Sequence, residues 1–182
     1  MMYYSYKQCV DIRRANIIRN SYAGLWQICN KFLLWRGYLV IISPENIVFN
    51  AEANDYEQAI RAAGALLVRS GAAKPSYVDA MVEAAKTFKY IVLAPGVAMP
   101  HARPEMGALG NCLSLVRLRK EVCFGHPEND PVRLVFGLVA VSEESHLDVM
   151  ESLAGLLGDD AAMACLMNAH SREEMETVIA GL

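Results

Sequence analysis

The run Val132-Arg133-Leu134-Val135-Phe136-Gly137-Leu138-Val139-Ala140-Val141 constrains the fold of this chain more than any other stretch. It is rich in β-branched residues and too continuously apolar for a strand with one face in water, so both of its faces need a covering layer. Other segments supply sheet and layers. Ile47-Val48-Phe49, Tyr90-Ile91-Val92-Leu93-Ala94 and Leu113–Leu118 read as further strands, the second stopped by Pro95-Gly96. Asn54-Asp55-Tyr56-Glu57 has the form of a capping box and predicts a helix to about Ser70, ended by Gly71. A second helix is expected from Ser76, burying Val78, Met81, Val82 and Ala85. A third carries Leu147, Met150, Leu153, Ala154 and Leu157 up to Gly158, and a last one opens with the capping box Ser171-Arg172-Glu173-Glu174. Helices bracket strands throughout. The expectation is therefore an α/β single domain: a mixed, mostly parallel sheet of about five strands, flanked by helices on both faces.

Charge divides the chain. Residues 1–43 carry six Lys/Arg against one Asp, and the remainder eleven against nineteen acidic residues, so a +5 head precedes a −8 body. Ser43-Pro44-Glu45-Asn46 is turn-like, and the expected division is a basic N-terminal extension of unknown role over 1–43 and a folded body over 44–182. The extension has three open readings: an extra helix around Arg14–Trp35, a basic surface segment, or upstream sequence included by a misplaced start codon. An acidic body, with no helix-turn-helix or zinc pattern, argues against nucleic acid as a partner. Cys9, Cys29, Cys112, Cys123 and Cys165 are widely spaced and contain no Cys-x-x-Cys, which suits reduced thiols buried as small hydrophobes. The longest apolar stretch, Phe32 to Ile42, is interrupted by Arg36 and falls short of the roughly 20 residues that cross a bilayer. It also lacks a signal peptide's cleavage pattern, so a cytoplasmic protein without membrane insertion is expected.

The chemistry has to be sought among four histidines. His126 sits in the turn-rich stretch Gly125–Pro131 and His170 just before a helix cap, where exposed surface histidines are the simple reading. Neither has a helix-spaced partner, and no metal or cofactor site is expected. His101 follows a strand, a Pro-Gly turn and Pro100, which fixes its own φ and biases Met99 toward extended geometry. A neutral imidazole mounted in this way, with one nitrogen on a backbone acceptor, offers the other as a nucleophile near neutral pH. Arg103 could present its fork of donors to phosphate oxygens. Pattern alone makes a loop histidine between two prolines structural as often as functional. His146 follows Ser142-Glu143-Glu144-Ser145 at a strand-to-helix junction, where free amides and the helix dipole favour an anion; a plain helix-start polar residue, capped by Ser142 or Ser145, is the alternative. No Gly-x-Ser-x-Gly elbow, Gly-x-x-x-x-Gly-Lys loop or Gly-x-Gly-x-x-Gly fingerprint is present.

Taken in order, Ile91-Val92-Leu93-Ala94-Pro95-Gly96-Val97-Ala98-Met99-Pro100-His101-Ala102-Arg103-Pro104-Glu105, then Val122-Cys123-Phe124-Gly125-His126, Asn129-Asp130-Pro131-Val132 and Ser145-His146-Leu147, resemble the enzyme IIA components of the mannitol, fructose and ascorbate phosphotransferase systems. The resemblance covers roughly Ile47 to Leu182, and its wording around His101 is most similar to the ascorbate-specific branch. It implies that 44–182 is a type-2 enzyme IIA domain and that the protein is a cytoplasmic phosphotransferase component of sugar transport. It implies further that His101 accepts a phosphoryl group from phospho-HPr, as a tele-phosphohistidine, and passes it to a cysteine of enzyme IIB, with the membrane IIC transporter reached only indirectly. His146 matches the family's second active-site histidine, which orients or stabilises the phosphoryl group. A regulatory module, whose phosphorylation controls a partner protein, is the alternative use of the same fold.

Overall fold

The apolar run at 132–141 forms the middle strand of a five-stranded sheet in the computed structural model, which describes residues 42–87 and 89–180. In chain order the strands are β1 (Ile47–Ala51), β2 (Val92–Ala94), β3 (Val97–Ala98), β4 (Cys112–Val122) and β5 (Val132–Val139), arranged in space as β1-β4-β5-β3-β2. Among the described residues five α-helices cover it: α1 (Tyr56–Arg69), α2 (Pro75–Thr87), α3 (Glu143–Leu157), α4 (Asp160–Met167) and α5 (Arg172–Ala180). Every residue of β5 except Arg133 is buried. Side chains alternate across a strand, and β5 therefore builds two cores. Val135 and Val139 face α1 and α2, with Ile60, Ala63, Leu67 and Met81. Leu134, Phe136 and Leu138 face α3, α4 and α5, with Leu153, Leu166 and Met175.

Parallel pairing joins β1 to β4 and β3 to β5, while β4–β5 and β2–β3 are antiparallel. The sheet is mixed, but evenly so rather than mostly parallel. Loop length is the reason: Pro95-Gly96 and the loop over residues 123–131 are too short to carry a strand back to the far edge, so each returns antiparallel. The strand expected from Tyr90 begins only at Val92, because Lys89–Ile91 form a 3-10 turn. Gly96, at φ +77°, then closes a hairpin onto β3, a strand with no counterpart in the sequence expectation.

The caps correct the boundaries by small steps. Asp55, not Asn54, caps α1, accepting the Gln58 amide at 2.8 Å, and the Gln58 side chain reaches back to the Asn54 amide at 3.0 Å. Helix α4 was not foreseen, and Asp159 caps it through the amides of Ala161 and Ala162. At α5 the Ser171 hydroxyl accepts the Glu174 amide as expected, whereas the Glu174 carboxylate takes the amide of His170. The basic extension and its possible helix at Arg14–Trp35 lie outside the described residues, apart from Ile42 and Ser43. Ile42 is 5% exposed and packs in the core beside α3–α5, so the packed body reaches at least that far back.

Gly137 sets the distance between sheet and helix. A Cβ there would stand 2.5 Å from Ser114 Oγ and 3.1 Å from Ala63 Cβ on α1. Ser114 cannot yield freely, because its hydroxyl is bonded to the Ala63 carbonyl at 3.0 Å. Gly137→Ala is expected to cost about 1–3 kcal/mol through overpacking and a strained buried hydrogen bond. A urea unfolding curve should show the loss, and adding Ser114→Ala should restore part of it.

Candidate functional site

Loop residues 99–103 leave the end of β3 and carry His101 into a cleft of about 1020 Å³. Its walls are the exposed side of α2, the turn at Tyr90, the 3-10 turn Pro104–Met106 and the start of α3. The loop is fixed from below. The buried Met99 donates its amide to Ile91 O at 2.7 Å, and Leu138 of β5 donates to Pro100 O at 3.2 Å. His101 Nδ1 lies 2.9 Å from Met99 O. A carbonyl can only accept, so Nδ1 carries the hydrogen, and in the neutral ring Nε2 is left with its lone pair. Pro100 stiffens the chain between Met99 and His101.

His146 lies on the first turn of α3, after Ser142, which caps the helix and exchanges reciprocal bonds of 3.2 Å with Ser145. Its ring centroid is 5.0 Å from that of His101, with the planes tilted by 52°. Burial, and then the proximity of His101, push its pKa below the usual histidine value. At neutral pH His146 is an uncharged ring with one N–H to donate. Arg103 borders the same cleft with its side chain exposed, and among the described residues it is the one Arg or Lys lining it. Carboxylates are more numerous there: Asp79 is paired with Arg61 at 2.8 Å and Glu83 with Lys86 at 2.6 Å, while Glu105 and Glu143 border the opening as well. Three large apolar side chains, Tyr90 (61% exposed), Met106 (46%) and Leu147 (66%), stand around the mouth. Such a rim suits contact with a second protein surface.

The other two histidines stay away from this cleft. His126 is half-buried rather than simply exposed, and its Nδ1 accepts the amides of Glu128 and Asn129 at 3.2 and 3.1 Å. Asp130 completes that loop by accepting the amides of Phe124, Gly125 and His126. His170 is exposed. Two side chains that the sequence reading passed over matter to the geometry. Tyr77, on α2, bonds Ala102 through its hydroxyl, and burial pushes its pKa up, which keeps the phenol protonated. It sits four residues before Met81 on the same buried stripe, which is the signal that could have revealed it. Arg117, 5% exposed, donates from Nε and Nη2 to Met167 O at 3.1 and 3.0 Å and stacks over Phe49, tying β4 to the end of α4.

An imidazole with its Nε2 lone pair free in an open cleft, beside a neutral second histidine and within an apolar rim, suits a group carrier that meets other proteins. The comparisons agree with this class. The family model for the phosphoenolpyruvate-dependent sugar phosphotransferase system, EIIA 2, matches residues 40–181, and the chain belongs to that family. It is 35% identical over 136 residues to the ascorbate-specific PTS system EIIA component of Salmonella choleraesuis (strain SC-B67), covering 74% of this chain and 88% of the relative. It is 36% identical over 129 residues to the mannitol-specific cryptic phosphotransferase enzyme IIA component of Escherichia coli (strain K12), covering 70% and 86%. Its fold is similar to enzyme IIAMTL in a solved complex with phosphorylated enzyme IIBMTL from Escherichia coli, with a TM-score of 0.70 and 32% identity over 79% of this chain and all of that one. The protein is thus a phosphoryl-carrying IIA component of a sugar phosphotransferase system.

Proposed function

We propose that His101 is the phosphoryl acceptor, that HPr supplies the group and that a cysteine of enzyme IIB receives it, in a system serving ascorbate uptake. The observation that carries this reading is the bond between His101 Nδ1 and Met99 O, which leaves Nε2 as the nucleophile in the cleft. In the first step the Nε2 lone pair forms a bond to phosphorus while the donor's phosphorus–nitrogen bond breaks, its electron pair returning to the HPr imidazole. In the second step a IIB thiolate attacks, and the pair of the breaking bond returns to Nε2. His146 donates a hydrogen bond to the phosphoryl oxygens, and Arg103 supplies the nearby positive charge. The acidic border favours basic partner surfaces through steering. No described helix is long and apolar enough to cross a membrane, in keeping with a carrier that works in the cytoplasm and reaches the transporter through IIB. Relatives named for ascorbate, at 35% identity, support the substrate assignment.

Incubation with phosphoenolpyruvate, enzyme I and HPr is expected to label the protein with acid-labile, alkali-stable phosphate. The IIB protein of an ascorbate system should drain that label faster than the IIB of a mannitol system. Absence of label would overturn the carrier reading, and equal or reversed draining would overturn the ascorbate assignment.

A further inference from the structure

Tyr77 is 1% exposed, yet its hydroxyl meets the loop that carries His101. The phenol oxygen accepts the Ala102 amide at 3.1 Å and donates to the Ala102 carbonyl at 2.8 Å, with Leu138 O at 3.2 Å as a second acceptor. A phenol has one hydrogen and oxygen lone pairs to accept with, so a single buried hydroxyl satisfies both polar groups of one loop residue. Leu138 also holds the Pro100 carbonyl through its own amide. The residues on either side of His101 are therefore fastened to the same residue of β5, one directly and the other through Tyr77. This matters because the loop lies past the end of β3 and has no strand ladder to hold it.

We propose that Tyr77 is a positioning residue for phosphoryl transfer: its hydroxyl holds Ala102 so that His101 keeps its Nδ1 hydrogen on Met99 and presents Nε2 to the cleft. The proposal rests on the carrier reading above. Its physical content is the sensitivity of group transfer to placement. A nucleophile must arrive in line and at contact distance, and a displacement of about 1 Å can cost on the order of 100-fold in rate. With the hydroxyl removed, the Ala102 amide and carbonyl lose their partner, the loop can turn, and the ring is free to exchange tautomers.

The test is Tyr77→Phe, which keeps the ring and its packing. Labelling by phospho-HPr is expected to slow by about 10- to 100-fold. The nitrogen-15 NMR signals of His101 should move from a single Nδ1–H tautomer toward a mixture, and the Ala102 amide should exchange faster with solvent. A variant destabilised away from this loop serves as the control for lost stability. Because Gly137 adjoins the anchor Leu138, that control is Ile179→Ala on α5, in the core on the other face of the sheet. Measured per folded molecule, it should leave both the His101 signals and the labelling rate at wild-type values. Wild-type labelling by Tyr77→Phe, or slowing with unchanged His101 signals, would overturn the proposal. If that variant does not fold, the wild-type protein decides: a rapidly exchanging Ala102 amide or an Nε2–H tautomer of His101 would overturn it. Failure of wild-type protein to label would instead remove the carrier reading, leaving the tautomer and exchange measurements as independent findings on the clamp.

Discussion

His101→Ala is expected to leave a folded protein that takes up no phosphoryl label at all. The expectation is total loss because no other described nucleophile in the cleft has an equivalent mount. His146 lies beside it, but its Nδ1 is not held on a backbone carbonyl as that of His101 is on Met99 O at 2.9 Å. The fold should survive, since the loop's anchors are the backbone bonds of Met99 and Pro100 and the Tyr77 clamp on Ala102, none of which uses the imidazole. Circular dichroism and a melting curve check the fold, and autoradiography after incubation with enzyme I and HPr checks the label. Any acid-labile label persisting in this variant would show that the acceptor is another residue.

His146→Ala is expected to accept phosphate but to hand it on slowly, by about 10- to 100-fold, the range of one lost transition-state hydrogen bond of roughly 1.4–2.7 kcal/mol. A neutral imidazole, 5.0 Å from His101 between ring centroids, donates to phosphoryl oxygens without the strong attraction by which a full positive charge would retain the dianion. Single-turnover transfer to IIB, compared with the rate of labelling, separates the two steps; normal onward transfer would remove His146 from the mechanism. The same residue gives a stability signature. Its pKa in the folded state lies below the usual value, through burial first and His101 second. The unfolded chain therefore takes up this proton from about pH 6.5 downward while the folded chain resists it, and stability is lost on acidification through that window. Above it the ring is neutral in both states and contributes nothing. The alanine variant should lack this component of the acid slope, which urea midpoints measured on either side of the window can resolve.

Much of the fold is legible in the sequence. The continuous apolar run at 132–141 demanded cover on two faces and received it, from α1–α2 on one side and α3–α5 on the other. The stripe of Val78, Met81, Val82 and Ala85 is buried as the helical spacing required. Ser142, one of two foreseen caps, opens α3, and Gly71, with φ +76°, follows the end of α1. What escaped were features with weak local signals. Helix α4 has an apolar composition without a polar face to mark its period, and β3 is a two-residue strand that exists because β5 is there to pair with it.

The site divides along the same line. Met99-Pro100-His101 is a local mount, and its stiffness belongs to the proline ring, so the sequence by itself determined that a histidine follows a rigid loop residue there, while the bond of its Nδ1 to Met99 O is seen only in the folded chain. It also determined, by ordered resemblance, which of the four histidines to consider. Only the tertiary structure decided that His146 stands beside His101, that Tyr77 clamps Ala102, and that Tyr90, Met106 and Leu147 surround the cleft mouth. The physical reason is range. Dihedral preferences, caps and periodicity act over a turn or two of chain, whereas the meeting of α2, the His101 loop and the start of α3 depends on strand order and on how helices pack across the sheet, which follow from burying the whole apolar surface at once.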